Sequence, residues 1–185
     1  MEFTLYYRGE LKSNGGSKEK HSIRKVFHPQ LQNLWNQVPL STHQKYLERS
    51  KDPNELSILK EVGAFAFAPL VTEKLRMVAE LNILFLRPEP PGAIITQGGD
   101  IDNRIKTLLD AFKVPAQPNS LPKAAIPEIH ETPFFCLLED DNLITNLNIE
   151  TDRLLDSSNS PNEVVLIIRV KTKLLGVTYG NIGLA

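Results

Sequence analysis

Hydrophobic and polar positions along the chain mark out a series of short elements. Residues 2–8 alternate, with Phe3, Leu5 and Tyr7 on one face and Thr4, Tyr6 and Arg8 on the other, the period of a half-buried strand. Lys12 to Lys18, centred on Gly15 and Gly16, reads as a flexible polar loop. From His28 to Val38, Leu31, Leu34, Trp35 and Val38 recur at helical spacing, with Pro29 early, where a helix tolerates it. Ser41 and Thr42 offer a cap for another helix through Leu47, and Asp52-Pro53-Asn54 breaks the chain. Residues 62–70 and 75–87 read as a hairpin, with Ala64, Ala66 and Ala68 opposite Phe65 and Phe67. Its second arm, Val78 to Leu86, is apolar enough to be central in a sheet.

Two proline-rich stretches, 88–99 and 114–133, read as loops. Between them Ile101, Ile105, Leu108, Leu109 and Phe112 form one helical stripe. Residues 143–150 alternate as a strand, residues 163–170 read as an interior strand, and the Gly-rich tail after Lys173 reads as mobile. The expected fold is therefore a single α/β (α+β) domain over 1–185: one mixed sheet with helices packed on one face.

Composition changes this picture little. The chain has 185 residues, 41% hydrophobic and 23% charged, the balance of a soluble globular domain. No apolar run reaches bilayer length, and the start reads as a strand rather than a signal peptide. The one cysteine, Cys136, leaves no internal disulfide or zinc cluster, and a cytoplasmic location is expected. We read Cys136 as inert, Trp35 as core, and His21, His28, His43 and His130 as surface residues. Net charge is −1, which argues against a generic basic nucleic-acid coat. Yet Arg8 to Lys25 holds six basic residues against two acids, a positive arm that can meet phosphates.

The candidate chemistry lies in two acidic segments. In Gly98-Gly99-Asp100-Ile101-Asp102-Asn103-Arg104-Ile105-Lys106, an extended stretch at 100–102 points both carboxylates the same way. Asp102 and Lys106, four apart, share one side of the following helix. The second segment, Glu139-Asp140-Asp141, ends an apolar run just before a strand. A few convergent carboxylates suit a hard cation such as Mg²⁺, which activates water and polarises a phosphoryl oxygen. Lys106 adds a positive group for the phosphate. Each piece alone has an ordinary explanation: first-turn acids that complement a helix dipole, a solvated turn, an exposed lysine.

Taken together, Asp100-Ile101-Asp102-Asn103-Arg104-Ile105-Lys106 with Leu108-Leu109-Asp110-Ala111-Phe112 resembles the Asp-x-Asp-Asn-x-x-Lys-x-x-x-Asp-Ala/Gly-Leu motif of the RusA family of Holliday junction resolvases. Glu139-Asp140-Asp141, with a strand behind it, resembles that family's aromatic-x-Asp-Asp-x-x-(Val/Ile) element, with Leu138 in place of the aromatic. The linker from Asp110 to Asp140 is longer than the family's. The resemblance covers 100–112 and 138–150 and implies a RusA-like core over 78–171. It implies a homodimeric endodeoxyribonuclease that cuts four-way DNA junctions with Mg²⁺ or Mn²⁺. Asp100, Asp102, Lys106 and Asp141 are then the catalytic set, and Asp100, Asp102, Asp140 and Asp141 the metal-binding set, with Asp140 either a ligand or a supporting group. Lys18, Lys20, Arg24, Lys25 and Arg104 are the expected DNA contacts. Two rivals stay open: a nucleic-acid-binding module of this fold that does not cut, and a non-catalytic interaction protein whose acids are structural.

Overall fold

A computed structural model describes residues 1–50, 55–90, 92, 101–156, 160 and 162–184. The described elements are β1 (Glu2–Glu10), α1 (Ser17–Trp35), a 3-10 helix (Leu40–Leu47), β2 (Lys60–Val62), β3 (Phe65–Val71), β4 (Met77–Arg87), α2 (Ile101–Phe112), β5 (Phe134–Leu138), β6 (Ile144–Arg153) and β7 (Glu163–Leu174). The chain is mixed α and β, as expected, but it builds two mixed sheets rather than one. The larger runs β1-β7-β4-β6 and the smaller β2-β3-β5. In the first, β7 is antiparallel to both β1 and β4, while β6 lies parallel to β4.

Alternation in the sequence sets the inner face of the larger sheet. Leu5 and Tyr7 of β1 meet Ile168 and Leu166 of β7 across the ladder, and all four are buried. Ile167, one step out of phase, is exposed, because successive side chains point to opposite faces. The hairpin expected from 62–70 and 75–87 does not form. Both edges of β3 are taken, by β2 and β5. Its two faces pack into separate apolar clusters, Phe65 and Phe67 in one and Ala68 and Leu70 in the other, so all seven of its residues are buried and it shows no alternation. The turn at Thr72–Arg76, with Arg76 left-handed at φ 52°, instead carries the chain across to the other sheet, where β4 is internal.

Helix α1 starts eleven residues before the expected His28 and stops short of Val38. Ile23, Phe27, Leu31 and Trp35 form one buried stripe at a spacing of four, so Ser17 onward is helix rather than loop. Pro29 therefore sits inside it, but on the exposed side, where its missing N–H leaves a carbonyl open to water. Next to it, Gln30 holds β1: its Oε1 accepts from the Tyr6 N–H at 2.9 Å and its Nε2 donates to the Tyr6 carbonyl at 2.8 Å.

Two of the histidines are core residues rather than surface ones. His28 is 2% exposed. Its Nδ1 accepts from the Phe135 N–H at 2.9 Å and its Nε2 lies 3.0 Å from the His130 carbonyl. That carbonyl can only accept, so the ring is the neutral Nε2–H tautomer. Burial pushes the pKa of His28 below the ordinary 6.5, and His21 moves the same way, also through burial, helped by Arg24 and Lys25. Glu131 and His130 face His28 from the opposing loop. Above about pH 6.5 the folded and unfolded chains both hold neutral imidazole and stability is at its full value. Below it the unfolded chain takes protons that the folded one refuses, so stability falls. The urea midpoint should drop between pH 7.5 and 5.5, with a shallower slope in His28→Gln; an equal slope in both proteins would exclude His28 as a source.

The tail expected to be mobile is anchored at its end, although Tyr179 and Ile182 within it stay exposed. Leu184 is 1% exposed and Asn181 fully buried. Asn181 Nδ2 donates to the carbonyls of Leu75 (2.8 Å) and Gly176 (2.9 Å), and its Oδ1 accepts from the Thr178 N–H at 2.6 Å. Asn181→Ala should cost about 2 kcal/mol, because it leaves buried backbone groups unpaired. Chemical denaturation measures it, and a loss below about 0.5 kcal/mol would mean that the tail contributes little.

Candidate active site

Helix α2 forms as the sequence predicts, with Ile105, Leu108, Ala111 and Phe112 buried. This places Asp102 and Lys106 on its exposed flank. The chain enters the second acidic segment from β5, which ends at Leu138, and turns through a short 3-10 helix at Asp141–Leu143 into β6. That turn brings Asp141 back to α2. Asp102, Lys106 and Asp141 line one groove of about 470 Å³, walled by Ile101, Ile105 and Leu109 of α2 and by Leu147, Ile149 and Thr151 of β6. Residues far apart in sequence thus meet at a pocket with apolar walls and two carboxylates and a lysine at its polar side. Asp100, with Gly98 and Gly99, lies outside the described residues.

The three consecutive acids at 139–141 divide between different tasks. Glu139 is a structural tie: it accepts from Thr72 Oγ1 and the Glu73 N–H and pairs with Lys60 at 2.5 Å. Burial pushes its carboxyl up, but these partners outweigh burial and hold it below the usual range. Asp140 caps the 3-10 turn, accepting from the Asn142 N–H at 3.1 Å. It lines a separate groove with Lys60, Glu73 and Lys113 and is not among the residues lining the groove of Asp102. Asp141 alone of the three joins Asp102 and Lys106.

Asp141 has a partner that the sequence reading missed. Lys113 Nζ lies 2.7 Å from Asp141 Oδ2 and 3.4 Å from Asp110 Oδ1, and Asp110 is held from the other side by Lys20 at 2.7 Å. The Lys113 hydrogen bond lowers the pKa of the Asp141 carboxyl, against a smaller opposing effect of burial. The one sequence signal for Lys113 was its position three residues after Asp110, where a helical acid and lysine can meet.

Among the described residues no group of three or more His, Cys, Asp or Glu side chains could hold a metal ion. Asp102 and Asp141 remain as two hard oxygen donors in one groove. That is a partial fit to Mg²⁺, which is commonly held by one or two carboxylates together with water and substrate phosphate.

The expected DNA contacts fare unevenly. Lys18 is exposed. Lys20 is paired with Asp110, and Lys25 with Glu128 (2.9 Å) and Glu131 (3.0 Å). Arg24 and Arg104 are 3% and 4% exposed, so neither can grip a DNA backbone running over the surface. Arg24 donates to the Asp110 carbonyl at 2.6 Å. Arg104 donates to the Leu11 carbonyl and to Asn162 Oδ1, the latter at 3.1 Å. The arm at Ser13 to Lys25 is thus mostly helix docked against the protein. Cys136 and Trp35 are buried as expected, and burial pushes the Cys136 thiol up, which leaves it unreactive. No helix among the described residues is long and apolar enough to cross a membrane.

No family model, curated protein or solved structure matches this chain.

Proposed function

We propose that this chain is a divalent-metal-dependent endodeoxyribonuclease acting at the groove between α2 and β6, with four-way DNA junctions as its substrate. One observation carries the reading: Asp102, Lys106 and Asp141, picked out in the sequence for their chemistry, line the same groove. Asp102 and Asp141 would hold Mg²⁺ or Mn²⁺, both of which prefer oxygen donors. When bound, such an ion polarises a phosphoryl oxygen and makes its water a stronger nucleophile. Lys106 holds a phosphate oxygen and offsets the negative charge that grows on it. The apolar walls from Ile105, Leu109 and Leu147 lower the local dielectric, which strengthens that attraction. Lys113 keeps Asp141 ionised and oriented before the cation arrives. A homodimer with twofold symmetry would set two grooves on opposing strands, giving paired nicks.

The test is a labelled four-way junction beside a duplex of matched sequence, each with Mg²⁺ and with chelator. Metal-dependent, symmetric nicking of the junction alone supports the proposal. A second reading, a nucleic-acid-binding or interaction protein that does not cut, is favoured by the Lys113–Asp141 pair, which already offsets one of the two carboxylates. Absence of nicking with either Mg²⁺ or Mn²⁺ selects that reading.

A further inference from the structure

The edge of a sheet carries unpaired backbone N–H and C=O groups, and chains that stay apart block it. The two sheets end at β1, β6, β2 and β5, and three of these edges are blocked. At β1, Gln30 of α1 takes both the Tyr6 N–H and the Tyr6 carbonyl. At β5, His28 accepts from the Phe135 N–H, and the Val114 N–H donates to the Leu138 carbonyl. Strand β2 is only three residues long and carries Lys60 and Glu61.

The fourth edge is open. Strand β6 runs ten residues and pairs along one side only, with β4. Among the described residues nothing hydrogen-bonds to the backbone of Asn146–Glu150 from the other side. This stretch lies beyond the register irregularity at Thr145. It has no proline, no lysine and no charge facing inward, the devices that keep edges from pairing. Its side chains alternate: Leu147 and Ile149 line the groove, while Asn146, Asn148 and Glu150 point to the opposite face. Leu147 is 38% exposed, because the apolar face of the sheet stops at β6 with no strand beyond it.

From this open edge and its self-complementary sequence, we propose that β6 pairs antiparallel with β6 of a second copy of the chain, about a twofold axis at Asn148. Residues directly opposite in such a ladder share a face. The axis sets Leu147 against Ile149 of the partner subunit, and the reverse, so apolar meets apolar twice. Asn148 meets its own copy, Asn146 meets Glu150 of the partner subunit, and no like charges face each other. An axis at Leu147 or Ile149 would instead leave one of these two apolar side chains opposite Thr145 or Thr151. A second copy is thus the occupant that the strand itself matches, and twofold pairs are the commonest closed assembly. The result is one continuous sheet of four strands from each copy, with both grooves on the same face. The proposal goes beyond the nuclease reading and does not rest on it, since strand pairing needs neither metal nor DNA.

Sedimentation velocity of the full chain, without metal or DNA, should show a dimer with a Kd of about 10 μM or tighter. Asn148 is exposed, so Asn148→Lys and Asn148→Glu should keep the Tm of the chain. Each sets like charges across the axis and should weaken the dimer about tenfold or more. An equimolar mixture of the two should bring it back to within about threefold of the original Kd. A second measurement uses mild oxidation, with Cys136 buried and out of reach. Asn148→Cys should link two chains by a disulfide. Asn146→Cys should not, because the two copies of that position lie four residues apart along the ladder, about 13 Å, beyond the reach of roughly 7 Å. A monomer at about 100 μM overturns the proposal and leaves the edge for a strand of another protein. A dimer indifferent to both charges, a mixture that is not restored, or equal cross-linking at 146 and 148 overturns it as well. Cleavage enters none of these readouts, so this pairing and the groove reading can each fail alone.

Discussion

Asp102→Asn should abolish metal-dependent junction cleavage, lowering the rate by about a thousandfold or more, while the chain stays folded and DNA affinity changes less than about threefold. The size of the effect follows from what the substitution removes. Asp102 is exposed on the first turn of α2 and faces the groove, so the amide leaves the core packing as it was. What goes is a hard anionic donor, one of two carboxylates in the groove among the described residues. The competing explanation for Asp102 is an acid that complements the positive start of α2, worth about 0.3–1 kcal/mol. On that account Asp102→Asn loses a little stability and no activity. Cleavage rate and denaturation midpoint measured on one preparation therefore separate the two roles. A fully active variant would remove the groove from consideration as the catalytic site.

The second large effect lies in stability. Arg104→Ala should destabilise the fold by about 3 kcal/mol, or roughly 6–12 °C in Tm for a chain of this size. From α2, the Arg104 guanidinium reaches the Leu11 carbonyl just past β1 and Asn162 just before β7. It fastens the helix that carries Asp102 and Lys106 to the neighbouring ends of two sheet strands. Truncation leaves both acceptors without their donor and opens a cavity where the side chain was buried. Were Arg104 a DNA contact instead, the variant would keep its Tm and lose affinity with a reduced salt dependence. Thermal denaturation without DNA, next to binding at two salt concentrations, distinguishes these outcomes.

The parts of the fold that could be read from the sequence are those where one face is wet. Strand β1 and helix α2 each expose a polar side, so their periods of two and 3.6 stand out. Strand β3 is buried on both faces and gives only an apolar run, which says nothing about its partners; the hairpin expected with β4 was the nearest neighbour in sequence, not in space. The early half of α1 was hidden for a different reason. Its inward positions include His21 and Arg24, polar residues that read as solvated until packing around Phe65, Phe134 and the Asp110 carbonyl is seen. In the site, the Asp102 and Lys106 pairing followed from a spacing of four. The division of labour among Glu139, Asp140 and Asp141 did not, because three adjacent acids in one turn do not show that Lys60, the Asn142 N–H and Lys113 will each meet a different one.

The pairing of β1 with β7 has a consequence for how the chain acquires its structure on the ribosome. Strand β1 is made early, but its ladder partner is Glu163–Leu174. At translation speeds of about 5–20 residues per second, β1 waits roughly ten seconds or more for that strand to emerge. Its partner in the meantime is α1, the next element made: Gln30 clasps the Tyr6 backbone, and Phe27 lies against Tyr7, with ring centroids 5.8 Å apart. An early β1–α1 unit would shelter the apolar face of β1 until the sheet closes. Gln30→Ala should then reduce the yield of soluble protein during synthesis more than it lowers the stability of the finished fold.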